Sequence, residues 1–278
     1  MKRIMTIQDI SCIGKCSLTV ALPIISAMGI ETAIVPTAVL STHTMFSDFT
    51  FHDLTDEMEP IAKHWKKEKF DFDAIYTGYL GSDRQINIVS DYFDSFKGKN
   101  TKIIMDPAMA DNGKLYVGFD EMFAKNMGKL CGKADIILPN ISEAALMLGV
   151  EYPGEDADEE TVEALLLKLS ELGANVSVIT GTVFKDGTFG FTGYDKAKNE
   201  FFRYGTEKVP HKSHGTGDIF ASAFTGALTN GFEVYDSLKI AADYTCACIK
   251  NTYNDPEKVD YAVNFELEIP YLLKLINK

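Results

Sequence analysis

The chain has 278 residues, 46% of them hydrophobic, and carries a net charge of −13 at pH 7. That apolar content is enough for an α/β core, and the length fits one domain of that class while allowing two. The acidic balance repels nucleic acid and anionic lipid, so neither is an expected partner.

The one basic cluster, KHWKKEK at 63–69, shares helical spacing with Leu54, Met58, Ile61 and Trp65 and reads as a solvated helix face. Five cysteines, an odd count, fit reduced thiols in the cytoplasm. Neither Cys12 with Cys16 nor Cys246 with Cys248 has a nearby histidine completing a zinc pattern. The start, MKRIMTIQDI, meets Gln8 and Asp9 before any long apolar run, unlike a signal peptide, and no stretch approaches a membrane span in length.

Residues 3–8 read as a first strand, followed by a loop with Gly14 and a helix over 17–28. The run at 31–39 is a second strand, where Pro36 implies an edge or a bulge. A polar loop, Ser41-Thr42-His43-Thr44, leads to a helix near 54–67. A buried strand at 72–77 ends in Gly78-Tyr79-Leu80-Gly81, and a helix covers 83–96. The apolar run 102–105 closes with Asp106-Pro107 before a polar loop at 108–118 and a helix to about 130. Strand 134–138 ends at Pro139-Asn140, and a helix begins near Ser142. A helix over 158–172 and a strand at 176–180, ending at Gly181, come next. The segments 188–194 and 199–204 alternate like a hairpin, and three helices finish the chain. The alternation predicts one α/β domain over 1–278 with a mostly parallel sheet covered by helices on both faces. In such sheets ligands bind beyond the carboxyl ends of the strands. Gln8, Asp9, Thr44, Asp106, Asn140, Glu143 and Thr180 all read as falling just after strands.

One stretch organises the rest. His214-Gly215-Thr216-Gly217-Asp218 runs straight into the helical Ile219-Phe220-Ala221-Ser222. Two glycines permit a tight turn and close approach, and a helix N-terminus attracts anions. Asp218 also fits an ordinary acidic helix start. Asn140 with Glu143 fits a capping box, and Asp106 before Pro107 fits a plain strand end. No Walker A motif exists, because Gly14-Lys15 runs into Cys16, and no G-x-G-x-x-G follows the first strand.

Gly-Thr-Gly-Asp opening a late helix resembles the anion hole and catalytic base of the ribokinase superfamily. Ser41-Thr42-His43-Thr44 and Thr77-Gly78-Tyr79 resemble its vitamin-B6 kinase branch. The resemblance covers essentially the whole chain with motif order preserved. It implies a ribokinase-like α/β fold and ATP-dependent phosphorylation of a B6 vitamer, with Mg²⁺ and a monovalent cation such as K⁺, in a homodimer. Asp218 would be the base, and Gly215, Thr216 and Gly217 the phosphoryl cradle. Gln8, Asp9, Ser11, His43, Thr44 and Tyr79 would line the acceptor site. Asp106, Tyr116, Asn140, Thr180 and Gly181 would serve ATP, and Asp106 and Glu143 the metal. Its position at a helix N-terminus predicts an ionised Asp218 that is a weak base.

Two departures stand out. Gln8-Asp9 replaces the Gln-Ser that is usual in the B6 kinases, and an acceptor carboxylate facing the ring would favour amine-bearing substrates. His214 resembles the related hydroxymethylpyrimidine kinases, which usually carry cysteine where Asp218 stands. A hydroxymethylpyrimidine (phosphate) kinase and a non-catalytic B6-vitamer carrier are therefore the alternatives.

Overall fold

The computed structural model describes residues 1–211 and 214–278. In chain order the elements are β1 (Arg3–Ser11), α1 (Leu18–Ala27), β2 (Glu31–Leu40), β3 (Phe51–Asp53), α2 (Thr55–Glu68), β4 (Ala74–Thr77) and α3 (Asp83–Phe96). Then come β5 (Lys102–Met105), β6 (Ala110–Asp111), β7 (Lys114–Leu115), α4 (Glu121–Cys131), β8 (Ile136–Ile137), α5 (Ile141–Leu148) and α6 (Glu159–Glu171). The chain ends with β9 (Val176–Val183), β10 (Phe189–Asp195), β11 (Glu200–Thr206), α7 (Thr216–Asn230), α8 (Val234–Asn254), a short 3-10 turn (Phe265–Glu268) and α9 (Ile269–Leu275).

The chain divides into two compact units, one of Met1–Tyr76 with Glu207–Lys278 and one of Thr77–Thr206. In the first unit the strands run in the order β4-β1-β2-β3, with β1 and β2 parallel and β3 antiparallel on the far side. Ile4, Met5 and Ile7 of β1 are wholly buried, as expected of a parallel strand covered on both faces. The anticipated irregularity at Pro36 is a bulge: Gln8 pairs with Pro36 but Ile10 with Val39, so β2 carries one extra residue. Helix α1 packs on both β2 and α7, and α7 on α8, which fixes the N-termini of α1 and α7 within one unit.

In the second unit the order is β5-β8-β9-β10-β11, with β5, β8 and β9 parallel and the β10–β11 hairpin antiparallel. Ile104, Ile137, Ile179 and Phe191 form its interior. The expected α/β class with a mostly parallel sheet holds. Two expectations are corrected. Strand β1 continues to Ser11 and β9 to Val183, so Gln8, Asp9, Thr180 and Gly181 lie inside strands rather than after them. Gln8 Nε2, Ser11 and Thr180 pair with neighbouring hydroxyls or carbonyls, which helps these polar residues stay within the strands. The loop at 108–118 also holds a small hairpin, β6–β7, and β3 precedes α2.

Candidate active site

The first unit carries the Gly-Thr-Gly-Asp turn. Gly215 is the residue before α7, with φ 81° and ψ 0°, in the left-handed region open to glycine. A Cβ added there would lie 2.2 Å from the Lys15 carbonyl oxygen, so the turn closes directly onto the loop before α1. The first turn of α7 then presents backbone N–H groups at the positive end of the helix.

Asp218 sits in that first turn and is half-buried. Burial pushes its carboxyl up to about 7; a hydrogen bond from the Ser17 N–H opposes the shift and the charge of Asp9 adds to it. Desolvation thus works against the ionisation expected at a helix N-terminus. A carboxyl poised near 7 is better matched to proton transfer at neutral pH.

Asp9 is buried in β1. Its Oδ1 accepts the Ser17 hydroxyl at 2.5 Å and its Oδ2 the Ser11 hydroxyl at 2.8 Å. Burial raises its carboxyl, and these two hydroxyls work against the rise. Each oxygen already accepts one hydroxyl within the unit, which competes with a ring-facing role for Asp9. Gln8 is fully buried and donates to Thr6 Oγ1 at 2.8 Å.

His43 is held at both ring nitrogens. Its Nδ1 accepts the Met45 N–H at 3.2 Å, so Nε2 carries the proton and donates to the Tyr261 carbonyl at 3.0 Å. Burial lowers its proton affinity, and its ring stacks on His214 with centroids 5.3 Å apart. A neutral histidine thus anchors the loop under the turn, while Thr44 beside it is exposed.

The second unit carries the remaining candidates. Asp106 follows β5, is buried, and its N–H donates to the Thr77 carbonyl at 2.9 Å. Asn140 caps α5: its Oδ1 accepts the Glu143 N–H at 2.9 Å, and Glu143 Oε2 accepts the Asn140 N–H at 2.8 Å. Glu143 Oε1 accepts the Met109 N–H at 3.1 Å, and Asn140 Nδ2 donates to the Ala110 carbonyl at 2.8 Å. The capping box therefore also grips the segment that leads into β6–β7. Burial, and then the charge of Asp106, push the Glu143 carboxyl well up against three backbone N–H donors.

Tyr79 lies with its ring 5.6 Å from Phe119. Tyr116 is held by its N–H on the Met109 carbonyl at 2.8 Å, with its side chain exposed. Thr180 bridges to Asn140 through its N–H on the Pro139 carbonyl, and Gly181 has φ 77°. Sequence reasoning missed Ser17, Lys15, Tyr261 and Met109. Only Ser17 carried a local signal, as a serine before a helix.

Glu143→Gln tests whether this residue is a cap alone. A glutamine must turn its amide nitrogen towards one of these backbone donors, so we expect a loss of about 1–3 kcal/mol. Thermal melts measure this; if Glu143 also faces a metal, the Mg²⁺ concentration for half-maximal activity rises as well.

A family model described as phosphomethylpyrimidine kinase matches residues 22–262. The chain belongs to this family. A proposed phosphomethylpyrimidine kinase from Bacteroides thetaiotaomicron VPI-5482, solved with pyridoxal, is 38% identical with a TM-score of 0.92, over 98% of this chain and 95% of that one. Pyridoxal kinase from Lactobacillus plantarum is 29% identical with a TM-score of 0.90, over 99% and 98%. The hydroxymethylpyrimidine/phosphomethylpyrimidine kinase of Bacillus subtilis is 25% identical, over 81% and 79%. Within the family the chain falls in the ribokinase-like pyridoxal kinase branch. No helix among the described residues is long and apolar enough to cross a membrane.

Proposed function

We propose that the protein is an Mg·ATP-dependent kinase that transfers the γ-phosphoryl group to the 5′-hydroxymethyl oxygen of pyridoxal, pyridoxine or pyridoxamine. One observation carries this: Asp218 stands in the first turn of α7, directly after the Gly215 turn, with a carboxyl near neutrality. Phosphoryl transfer needs positioning and charge stabilisation more than covalent chemistry. The ionised carboxylate accepts the proton of the acceptor hydroxyl as the oxygen attacks. The backbone N–H groups of Gly215, Thr216 and Gly217 steady the equatorial phosphoryl oxygens. The Lactobacillus pyridoxal kinase and the pyridoxal-bound Bacteroides structure support the substrate class.

In this reading Asp106, Asn140, Glu143, Thr180, Gly181 and Tyr116 serve the nucleotide, and His43, Thr44 and Tyr79 the acceptor. The second unit fits a magnesium ion. Asp106 and Glu143 are two buried carboxyls, and the charge of Asp106 adds to burial in pushing the Glu143 carboxyl up, which a divalent cation relieves. Both Glu143 oxygens already hold backbone N–H groups, so Asp106 would be the direct ligand and Glu143 would act through water. When bound, the ion neutralises phosphate charge. A K⁺ requirement, a homodimer, a cytoplasmic location and action of the whole chain as a single kinase domain complete the proposal.

A hydroxymethylpyrimidine kinase is the second reading, favoured by His214 and by the Bacillus subtilis relative. Steady-state kcat/KM on pyridoxal, pyridoxine, pyridoxamine and hydroxymethylpyrimidine decides between them. The proposal expects at least tenfold preference for a B6 vitamer; the reverse preference replaces it with the pyrimidine reading. Absence of single-turnover ATP consumption with every substrate would make the protein a carrier.

A further inference from the structure

Ser17 has a backbone that serine rarely adopts, φ 52° with ψ −131°, and it stands immediately before α1. Its hydroxyl makes no cap to its own helix. It donates instead to Asp9 Oδ1 at 2.5 Å, while the loop that ends at Ser17 lies against the turn before Asp218, a Cβ on Gly215 falling 2.2 Å from the Lys15 carbonyl oxygen, and turns the Ser17 N–H towards the Asp218 carboxyl. Asp9 is itself held from the other side by the Ser11 hydroxyl at 2.8 Å. A buried carboxylate, a serine at positive φ and the candidate base thus form one chain within the first unit.

The surroundings keep that chain undisturbed. Lys15, two residues before Ser17 and also at positive φ, 53°, sends its ammonium to Glu266 Oε2 at 2.9 Å and Asn264 Oδ1 at 3.2 Å. Its charge is therefore spent on the C-terminal segment. The Cys16 thiol between them is pushed up by burial and by the charges of Asp218 and Asp9, so it stays protonated. His43 is kept neutral by burial and by the Met45 N–H on its Nδ1, against the Tyr261 carbonyl, and His214 stacks on it.

We propose that Asp9 and Ser17 are positioning residues for Asp218. Asp9 holds the Ser17 hydroxyl, which locks the backbone so that the Ser17 N–H fixes one oxygen of Asp218 and leaves the other for the acceptor hydroxyl. The inference rests on Asp218 being the base. It gives the aspartate at position 9 a task inside the protein rather than at the substrate ring.

Two variants test it. Ser17→Gly suits the positive-φ backbone and keeps the N–H but loses the tether; Asp9→Asn keeps an acceptor oxygen but loses the charge. For each, kcat and KM with pyridoxal and Mg·ATP are measured across pH, beside thermal melts. Ser17→Gly is expected to lower kcat about tenfold, leave KM for ATP within about twofold, and move the acid limb of the kcat profile up, because the carboxylate loses a fixed donor. Asp9→Asn is expected to move that limb down, because a repelling charge is gone. A purely structural role would change the melting temperature and leave the limb in place. Unmoved limbs and kcat within about twofold in both variants overturn the proposal. Asp218→Asn run in parallel separates the two ideas. If its kcat collapses while the other two variants behave as parent, only the positioning idea fails. If Asp218→Asn keeps the parent's kcat and acid limb, the base assignment fails and the positioning idea with it.

Discussion

Asp218→Asn is expected to lower kcat by roughly 10²–10⁴-fold while KM for ATP stays nearly constant. The carboxyl is pushed up to about 7, so the parent's kcat should fall about tenfold per pH unit below that value, as the protonated form accumulates. The residual activity of the variant should lack this acid limb. Stability moves the other way. Because the folded protein holds this proton more tightly than an unfolded aspartate with a pKa of 3.8, ionising Asp218 destabilises the fold as pH rises from about 4 through 7. The substituted amide carries no charge to desolvate, so the variant should melt no lower than the parent at pH 8, and its advantage should shrink towards pH 4. A variant with normal turnover and a lowered melting temperature would make Asp218 an ordinary first-turn residue of α7. Pre-steady-state turnover with pyridoxal, and melts at several pH values, measure both.

What was legible in the chain was local. The Gly-Thr-Gly-Asp turn announces itself because glycine torsion, an acidic residue and a helical run are adjacent, and α7 starts at Thr216 as that pattern requires. The Asn140–Glu143 capping box is legible for the same reason, being closed over three residues. Ser17 was not legible as a site residue: its hydroxyl partner lies eight residues away in β1, but its N–H partner, Asp218, comes from the other end of the chain. Nor was the extent of β1. A strand reading stops at polar residues, yet Gln8, Asp9 and Ser11 are buried within β1, where Gln8 Nε2 meets Thr6 and Asp9 accepts from Ser11 and Ser17. The two compact units were invisible as well. The first is built from both ends of the chain, so no linker or change of composition marks its border with the second. The short β3 and the β6–β7 hairpin have three and two residues per strand, too few for a period of two to emerge.

Gly215→Ala is expected to be among the most damaging single-methyl changes in the first unit. Two costs combine. Gly215 has φ 81°, which alanine adopts only under strain, and the added Cβ would lie 2.2 Å from the Lys15 carbonyl oxygen, well inside contact distance. That carbonyl cannot easily retreat. Lys15 is tied to Glu266 and Asn264, and its ammonium lies 6.0 Å from the centre of the Phe265 ring. Strain and overpacking together should cost about 2–4 kcal/mol, read as a lowered midpoint in urea with unchanged slope. Turnover should fall further than stability implies, by roughly 10²-fold or more. The displaced parts are the start of α7, which carries Asp218, and the loop that carries Ser17, and catalysis tolerates little misplacement. Loosening the anchor gives the decisive control. Glu266→Ala frees the loop, so the double variant Gly215→Ala/Glu266→Ala should lose less stability than the two single losses added together. Strict additivity would mean that the Lys15 carbonyl does not oppose the new methyl, leaving the backbone torsion at Gly215 as the whole effect.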